Sequence, residues 1–257
     1  MIILLSPSKT LSENPDLITK EYSIPEFLDR SAVLVEKLRE FSPSEMGKIM
    51  DVNPKLSEIN IERYLKWKLP FDTTNSDRAL LMFKGEVFNG LKAENLNEAD
   101  LLYAQDHLRI LSGLYGILKP LDLMQPYRLE MATRLEFDHW KNLYDFWGDL
   151  ITEKINKEME SQKEKVLLNL ASDEYYKSVD ESKINARILK CQFKEERDGK
   201  LKFITIYGKK ARGLMTRFII QNKIDNTNDL KGFDLGGYHY NDEHSTDDTW
   251  MFSRLSE

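Results

Sequence analysis

Three stretches of this sequence place cations and small polar residues where a phosphate could be held. In Gly208–Ile220, GKKARGLMTRFII, the expected helix would carry Lys209, Lys210 and Arg212 in its first turn, with Arg217 further along. The amides of a helix N-terminus are already partly positive, so each cation there costs a few tenths of a kcal/mol unless an anion is near. A bound anion accounts for the three; neutralising carboxylates from elsewhere in the chain, or plain solvation, would do so too. In His107–Met131, HLRILSGLYGILKPLDLMQPYRLEM, Gly113 and Gly116 interrupt an apolar run flanked by Arg109, Lys119 and Arg128. Leu108, Leu111, Leu114 and Tyr115 fall at helix spacing. The glycines would leave backbone amides uncovered, free to meet a phosphate, or would simply turn the chain between two core helices. Third, three expected strands end alike: Leu5 before Ser6-Pro7-Ser8-Lys9, Leu170 before Ala171-Ser172-Asp173-Glu174, and Tyr207 before Gly208-Lys209-Lys210. Ligands of open α/β sheets gather beyond the carboxyl ends of strands, although small polar residues also end strands for purely local reasons.

The same strand ends hold the groups that could move protons. Ser8, Ser172, Asp173 and Glu174, with Tyr127, would serve an enzyme whose substrate is held by these cations. No nucleophile–base pair follows from their spacing. Other motifs fail on inspection. Gly85–Gly90 has P-loop glycine spacing but is followed by Leu91 in place of lysine. Gly113-Leu114-Tyr115-Gly116 lacks the order of a dinucleotide fingerprint, and there is no GxSxG or HExxH. His239 and His244 stand near Asp242, Glu243, Asp247 and Asp248, a pattern better read as an exposed polar hairpin tip than as a metal site. No metal and no cofactor are expected.

The elements that must position these groups are those of a globular protein. At 257 residues, 41% hydrophobic and 31% charged, the chain can bury a sizeable core, and one compact unit spanning 1–257 is expected. No apolar run reaches the roughly 18 residues of a membrane span, and MIILLSPSKTL lacks the basic region of a signal peptide, so a cytoplasmic protein is expected. Cys191 is the only cysteine, which removes disulfides and thiolate zinc sites. Net charge is −6, yet residues 199–224 contain no Asp or Glu beside seven Lys and Arg, an asymmetry that can attract a polyanion locally. Ile2–Leu5 and Val166–Leu170 read as buried strands. Ile188–Lys194 and Lys202–Tyr207 read as a hairpin turning at Arg197-Asp198-Gly199, and Gly237–Tyr240 with Thr249–Arg254 as another. Helices are expected over Glu26–Phe41, Pro43–Met50, Lys55–Trp67, from Ser76 towards Leu91, from Asn97 onward, from Tyr144 to about Glu164, and over Ala211–Ile220. The fold class is mixed α/β, a sheet flanked by helices.

Several long blocks together carry a family resemblance: LLSPSKTL at Leu4–Leu11, FKGEVFNGL at Phe83–Leu91, His107–Met131, NLASDEYYKSV at Asn169–Val179 and YGKKARGLMTRFI at Tyr207–Ile219. The chain resembles the YaaA peroxide-stress proteins nearly end to end, with Ala132 after Met131 as one departure. The resemblance implies resistance to hydrogen peroxide by limiting unincorporated iron and hence damage to DNA. It further implies a mixed α/β "cantaloupe" fold with a positively charged cleft, a helix-hairpin-helix element, and DNA binding. That element falls here on about 108–131, with Leu108–Leu118 as its body and Ser112–Gly116 as its hairpin.

Two readings follow. In the first, the protein binds duplex or branched DNA without reading its sequence, through the amides of Gly113 and Gly116 and through Lys9, Arg109, Lys119, Arg128, Lys209, Lys210, Arg212 and Arg217. Lys9, Arg128, Lys209 and Arg212 are then expected to converge on one cleft, and any effect on iron is indirect. In the second, the same cations hold a nucleotide or a DNA base for an enzyme. Membranes are not an expected partner.

Overall fold

In the computed structural model, which describes residues 1–12, 15 and 18–256, the centre is an eight-stranded, mostly parallel sheet. Seven strands lie in the order His239–Asn241, Thr249–Leu255, Arg187–Arg197, Val166–Asn169, Ile2–Leu5, Leu108–Ser112, Gly116–Leu118, and Lys200–Lys202 pairs onto Arg187–Arg197. The five in the middle run parallel, with registers such as Ile3 opposite Leu108 and Leu168. Hairpins close both edges antiparallel. Every residue of Ile2–Leu5, Leu108–Ser112 and Val166–Asn169 is buried, as parallel strands covered on both faces require.

From Ile2–Leu5 the chain's strand order runs outward in both directions, to Leu108–Ser112 on one side and to Val166–Asn169 on the other. The carboxyl ends of Ile2–Leu5 and Val166–Asn169 therefore flank a topological switch point, the place where open α/β sheets leave a crevice.

Around the sheet the helices are set by local signals. Ser42 and Asn97 each form a capping box, with Glu45 and Asp100, at the starts of Pro43–Met50 and Glu98–His107. Asn53 caps Pro54–Lys66, where Pro54 takes the first helical position. The helix expected from Tyr144 to Glu164 is two helices, Leu143–Trp147 and Leu150–Met159, broken at Gly148. The stretch from Ser76 to Leu91 is likewise divided, into the short strands Asp77–Arg78 and Phe83–Lys84 and the helices Ala79–Met82 and Glu86–Leu91. Glu86–Leu91 lies across the long helix Thr205–Asn222 at very close range: a Cβ on Gly213 would stand 1.7 Å from the Val87 carbonyl oxygen, and one on Gly90 2.2 Å from that of Lys210.

Two expectations change here. Leu108–Leu118 is a β-hairpin, not a helix-hairpin-helix: Leu108–Ser112 pairs parallel with Ile2–Leu5 and antiparallel with Gly116–Leu118. Its apolar positions match helix spacing only because nearly every position is apolar, as in any strand buried on both faces. Secondly, Tyr207 ends no strand. Only Lys200–Lys202 is extended, the helix begins at Thr205, and Lys209, Lys210 and Arg212 occupy its second turn and beyond.

Candidate functional site at the carboxyl ends of the parallel strands

The loops leaving Leu5 and Asn169 meet directly. The Ser172 backbone N–H donates to Ser6 Oγ at 2.8 Å, and the two hydroxyls lie 3.1 Å apart. Asn169 Oδ1 accepts the Ala171 N–H, shaping the turn that presents Ser172, and the short helix Asp173–Tyr176 follows at once. Ser8, two residues beyond Ser6, accepts the Thr10 N–H and sits against Gly85, where a Cβ would come within 2.9 Å of its hydroxyl.

Asp173 faces the Arg212 guanidinium. Burial lowers the basicity of that arginine and the Asp173 charge raises it, the first effect being larger. Among the described residues no side chain pairs with Arg212 by hydrogen bond or ion pair. Glu174 accepts the Ala132 N–H at 3.3 Å, tying this turn to the segment that carries Glu130. Glu130 in turn holds Lys9 at 2.5 Å and Arg128 at 3.3 Å. The Arg128 side chain is 16% exposed, and its Nε is buried with no hydrogen-bond partner among the described residues. A cavity of about 210 Å³ opens beside Lys9, Arg128, Glu130 and Asp51.

Two groups result, Ser6 and Ser172 with Asp173 and Arg212, and Lys9 and Arg128 around Glu130, and the Glu174–Ala132 hydrogen bond ties the segments that carry them. An arginine with an unmet donor (Arg128), a second without a side-chain partner among the described residues (Arg212) and half-buried serine hydroxyls suit an anion with several oxygens. Lys209 and Lys210 are exposed on the same helix as Arg212, Lys209 one turn before it, and neither enters an ion pair with a described residue.

Other expected site residues are placed elsewhere. Arg109 is engaged in the interior: its Nε pairs with Glu158 at 2.5 Å, and its Nη1 donates to the carbonyls of Gln105 and Leu108. Lys119 lies 3.4 Å from the same Glu158. Arg217 caps the helix Glu86–Leu91 by donating to the carbonyls of Leu91 and Lys92. Gly113 and Gly116 are buried; the Gly113 carbonyl accepts the Trp147 indole, Gly116 takes a φ of +70 with that same ring against it, and the Tyr115 N–H donates to Ser112 Oγ at 3.0 Å, so the hairpin is packed into the core and not opened to a ligand. The Tyr127 hydroxyl is buried against Ser112 at 2.7 Å, and burial raises its pKa well above the usual phenol range, so it is a poor proton donor or acceptor.

Glu130 was not singled out by sequence reasoning, although a carboxylate two residues from Arg128 was its visible signal. Ser6 was visible only as the first residue past a strand. Cys191 is buried, and burial raises its thiol pKa, so it lacks the thiolate character that peroxide chemistry needs. Among the described residues, no group of three or more His, Cys, Asp or Glu is placed to hold a metal ion, and no helix is long and apolar enough to cross a membrane.

Fold and site together define an α/β protein with hydroxyl and charged side chains gathered at the switch point of a largely parallel sheet. The family model described as "Peroxide stress protein YaaA" matches residues 1–244, and the chain belongs to that family.

Proposed function

We propose that this peroxide-stress protein works by holding DNA through its phosphates, with no readout of base sequence, and that any limitation of free iron follows indirectly from that binding in the cytoplasm. The observation that carries this reading is Arg212: a half-buried guanidinium with no paired side chain among the described residues, beside exposed Lys209 and Lys210. A partly buried cation that the Asp173 charge faces without a direct ion pair or hydrogen bond has donors left for a phosphate. Lys9 and Arg128, which share Glu130 between them, would supply further cations to the same DNA. Phosphate contacts fix position and orientation, so duplex and branched DNA would both be accepted.

A second reading is favoured by one observation. The Ser6–Ser172 hydroxyl pair and Asp173 stand at the switch point, where an enzyme would keep its reacting groups, and backbone binding has no need of them. One experiment decides between the readings: duplex affinity and survival under peroxide, measured for Arg212→Met and Asp173→Asn. In the DNA-holding reading Arg212→Met binds duplex roughly 10-fold more weakly, since a hydrogen bond to a charged group contributes about 1.5 kcal/mol or more, while its melting temperature holds or rises. Asp173→Asn then binds as well or slightly better and still protects. Normal DNA affinity with lost protection in Asp173→Asn would make the protein an enzyme, because general acid–base catalysis is typically worth about 10²- to 10⁴-fold.

A further inference from the structure

The start of the helix Thr205–Asn222 carries exposed aromatic rings that the strand-end site does not use, on the same helix as Lys209 and Lys210. Phe203 and Tyr207 are 55% and 38% exposed, high values for aromatic side chains. The Phe203 ring rests against Gly208, where a Cβ would stand 2.5 Å from it, so the absence of a side chain there lets the ring lie on the helix backbone. Tyr207 lies under the Arg254 guanidinium, 4.8 Å from its ring centre, and is held in place by it. Lysines neighbour both rings in the chain. Lys210 follows Tyr207 by three residues on the helix, so the two share a face, and Lys209 stands beside it. Lys200 and Lys202 project from one face of the neighbouring strand, and both are exposed. The carboxylate nearest in register to Lys202, Glu195, is buried and already held between Arg197 and Arg254.

Seated aromatic rings interleaved with uncompensated lysines form the chemistry that takes up unpaired nucleotides: the rings stack on bases and the cations follow the backbone. Base faces within a duplex are covered by their neighbours, so such rings have nothing to stack on until strands open. We infer that Phe203 and Tyr207 form a base-stacking platform, and that the nucleic acid this protein prefers is single-stranded or locally opened DNA. The inference rests on the DNA-holding reading and names the form of DNA within it. An anionic membrane would also meet lysines and apolar side chains, but it would not call for rings held in place by Gly208 and Arg254.

The test compares oligo(dT), which is unstructured, with a blunt duplex of equal phosphate number by fluorescence anisotropy at matched salt. Phe203→Ala and Phe203→Leu each weaken oligo(dT) binding, by roughly 5- to 150-fold if one base stacks there, with the salt dependence unchanged because no charge is lost. Duplex affinity stays put. Phe203→Trp retains oligo(dT) binding, and its indole fluorescence is quenched as the oligonucleotide is added. If Phe203→Ala binds oligo(dT) normally while Lys209→Ala/Lys210→Ala weakens the duplex, the platform is refuted and DNA holding survives. Failure of the wild type to bind either nucleic acid removes both. Binding to phosphatidylserine vesicles that Phe203→Ala abolishes, without an effect on oligo(dT), would instead make this surface a membrane contact.

Discussion

Arg109 and Arg212 show that an arginine's neighbours, more than its exposure, decide what it does. Arg109 is 3% exposed and meets Glu158, itself 10% exposed, which also lies 3.2 Å from Lys154 and 3.4 Å from Lys119. Its charge is spent inside the fold. Arg212 has Asp173 as its facing charge and no paired side chain among the described residues. Replacing Arg109 by Ala should therefore cost about 3 kcal/mol in urea unfolding, the low end for a broken buried pair because two lysines remain, and leave duplex affinity within about twofold. Loss of affinity in a variant that folds normally would move Arg109 back into the interface. Glu158 adds a pH signature. Burial would raise its carboxyl, but Arg109 first, then Lys154 and Lys119, outweigh burial and hold it below the usual range. A carboxyl lowered in the native state contributes stability that is whole above its ordinary value of about 4.3 and is lost as pH falls through the lowered native value. Glu158→Gln should flatten the loss of melting temperature on acidification relative to wild type.

At the scale of elements, the helix pair Glu86–Leu91 and Thr205–Asn222 fixes where Lys209, Lys210 and Arg212 stand. Because Gly213 and Gly90 each meet backbone atoms of the opposing helix, no rotamer change can relieve an added methyl. Gly213→Ala should cost about 3 kcal/mol or more, whereas Gly232→Ala, with nothing within 4 Å, should fall within about 0.5 kcal/mol of wild type in the same measurement. Equal stabilities would mean that the helices are not in contact there. Much of this level was legible in the residues. Pro43–Met50, the Asn97 cap, the buried strands after Met1 and Lys165, and the turn at Arg197-Asp198-Gly199 all rest on local signals that the tertiary structure leaves alone. Leu108–Leu118 was not legible, because a short run apolar on all sides has no period to distinguish strand from helix, and only pairing with Ile2–Leu5 decides it. Thr205 as a helix start was hidden for the opposite reason: Phe203, Ile206 and Tyr207 look like a strand's apolar face, yet all three are exposed. Of the candidate site, Ser172 and Asp173 could be anticipated from strand ends, and the proximity of Lys9 to Arg128 was an expectation, but the Glu130 that joins the two was not. The isolation of Arg212 could not, since it depends on which carboxylates the fold sends elsewhere.

For the whole molecule, a net charge of −6 and the proposed DNA-holding role are compatible because the charge is unevenly spread. Carboxylates such as Glu158 and Glu195 are consumed by interior or half-buried arginines, while Lys209 and Lys210 are left exposed on the helix that carries Arg212. The central claim is that these lysines touch phosphate. Its most direct test is the slope of log K against log salt for a duplex, compared between wild type and Lys209→Ala/Lys210→Ala. Each phosphate contact contributes about −0.9 to that slope, so the double variant should lose roughly 2 units of its magnitude with folding unaltered. A slope identical to wild type would place both lysines outside the interface and contradict the account.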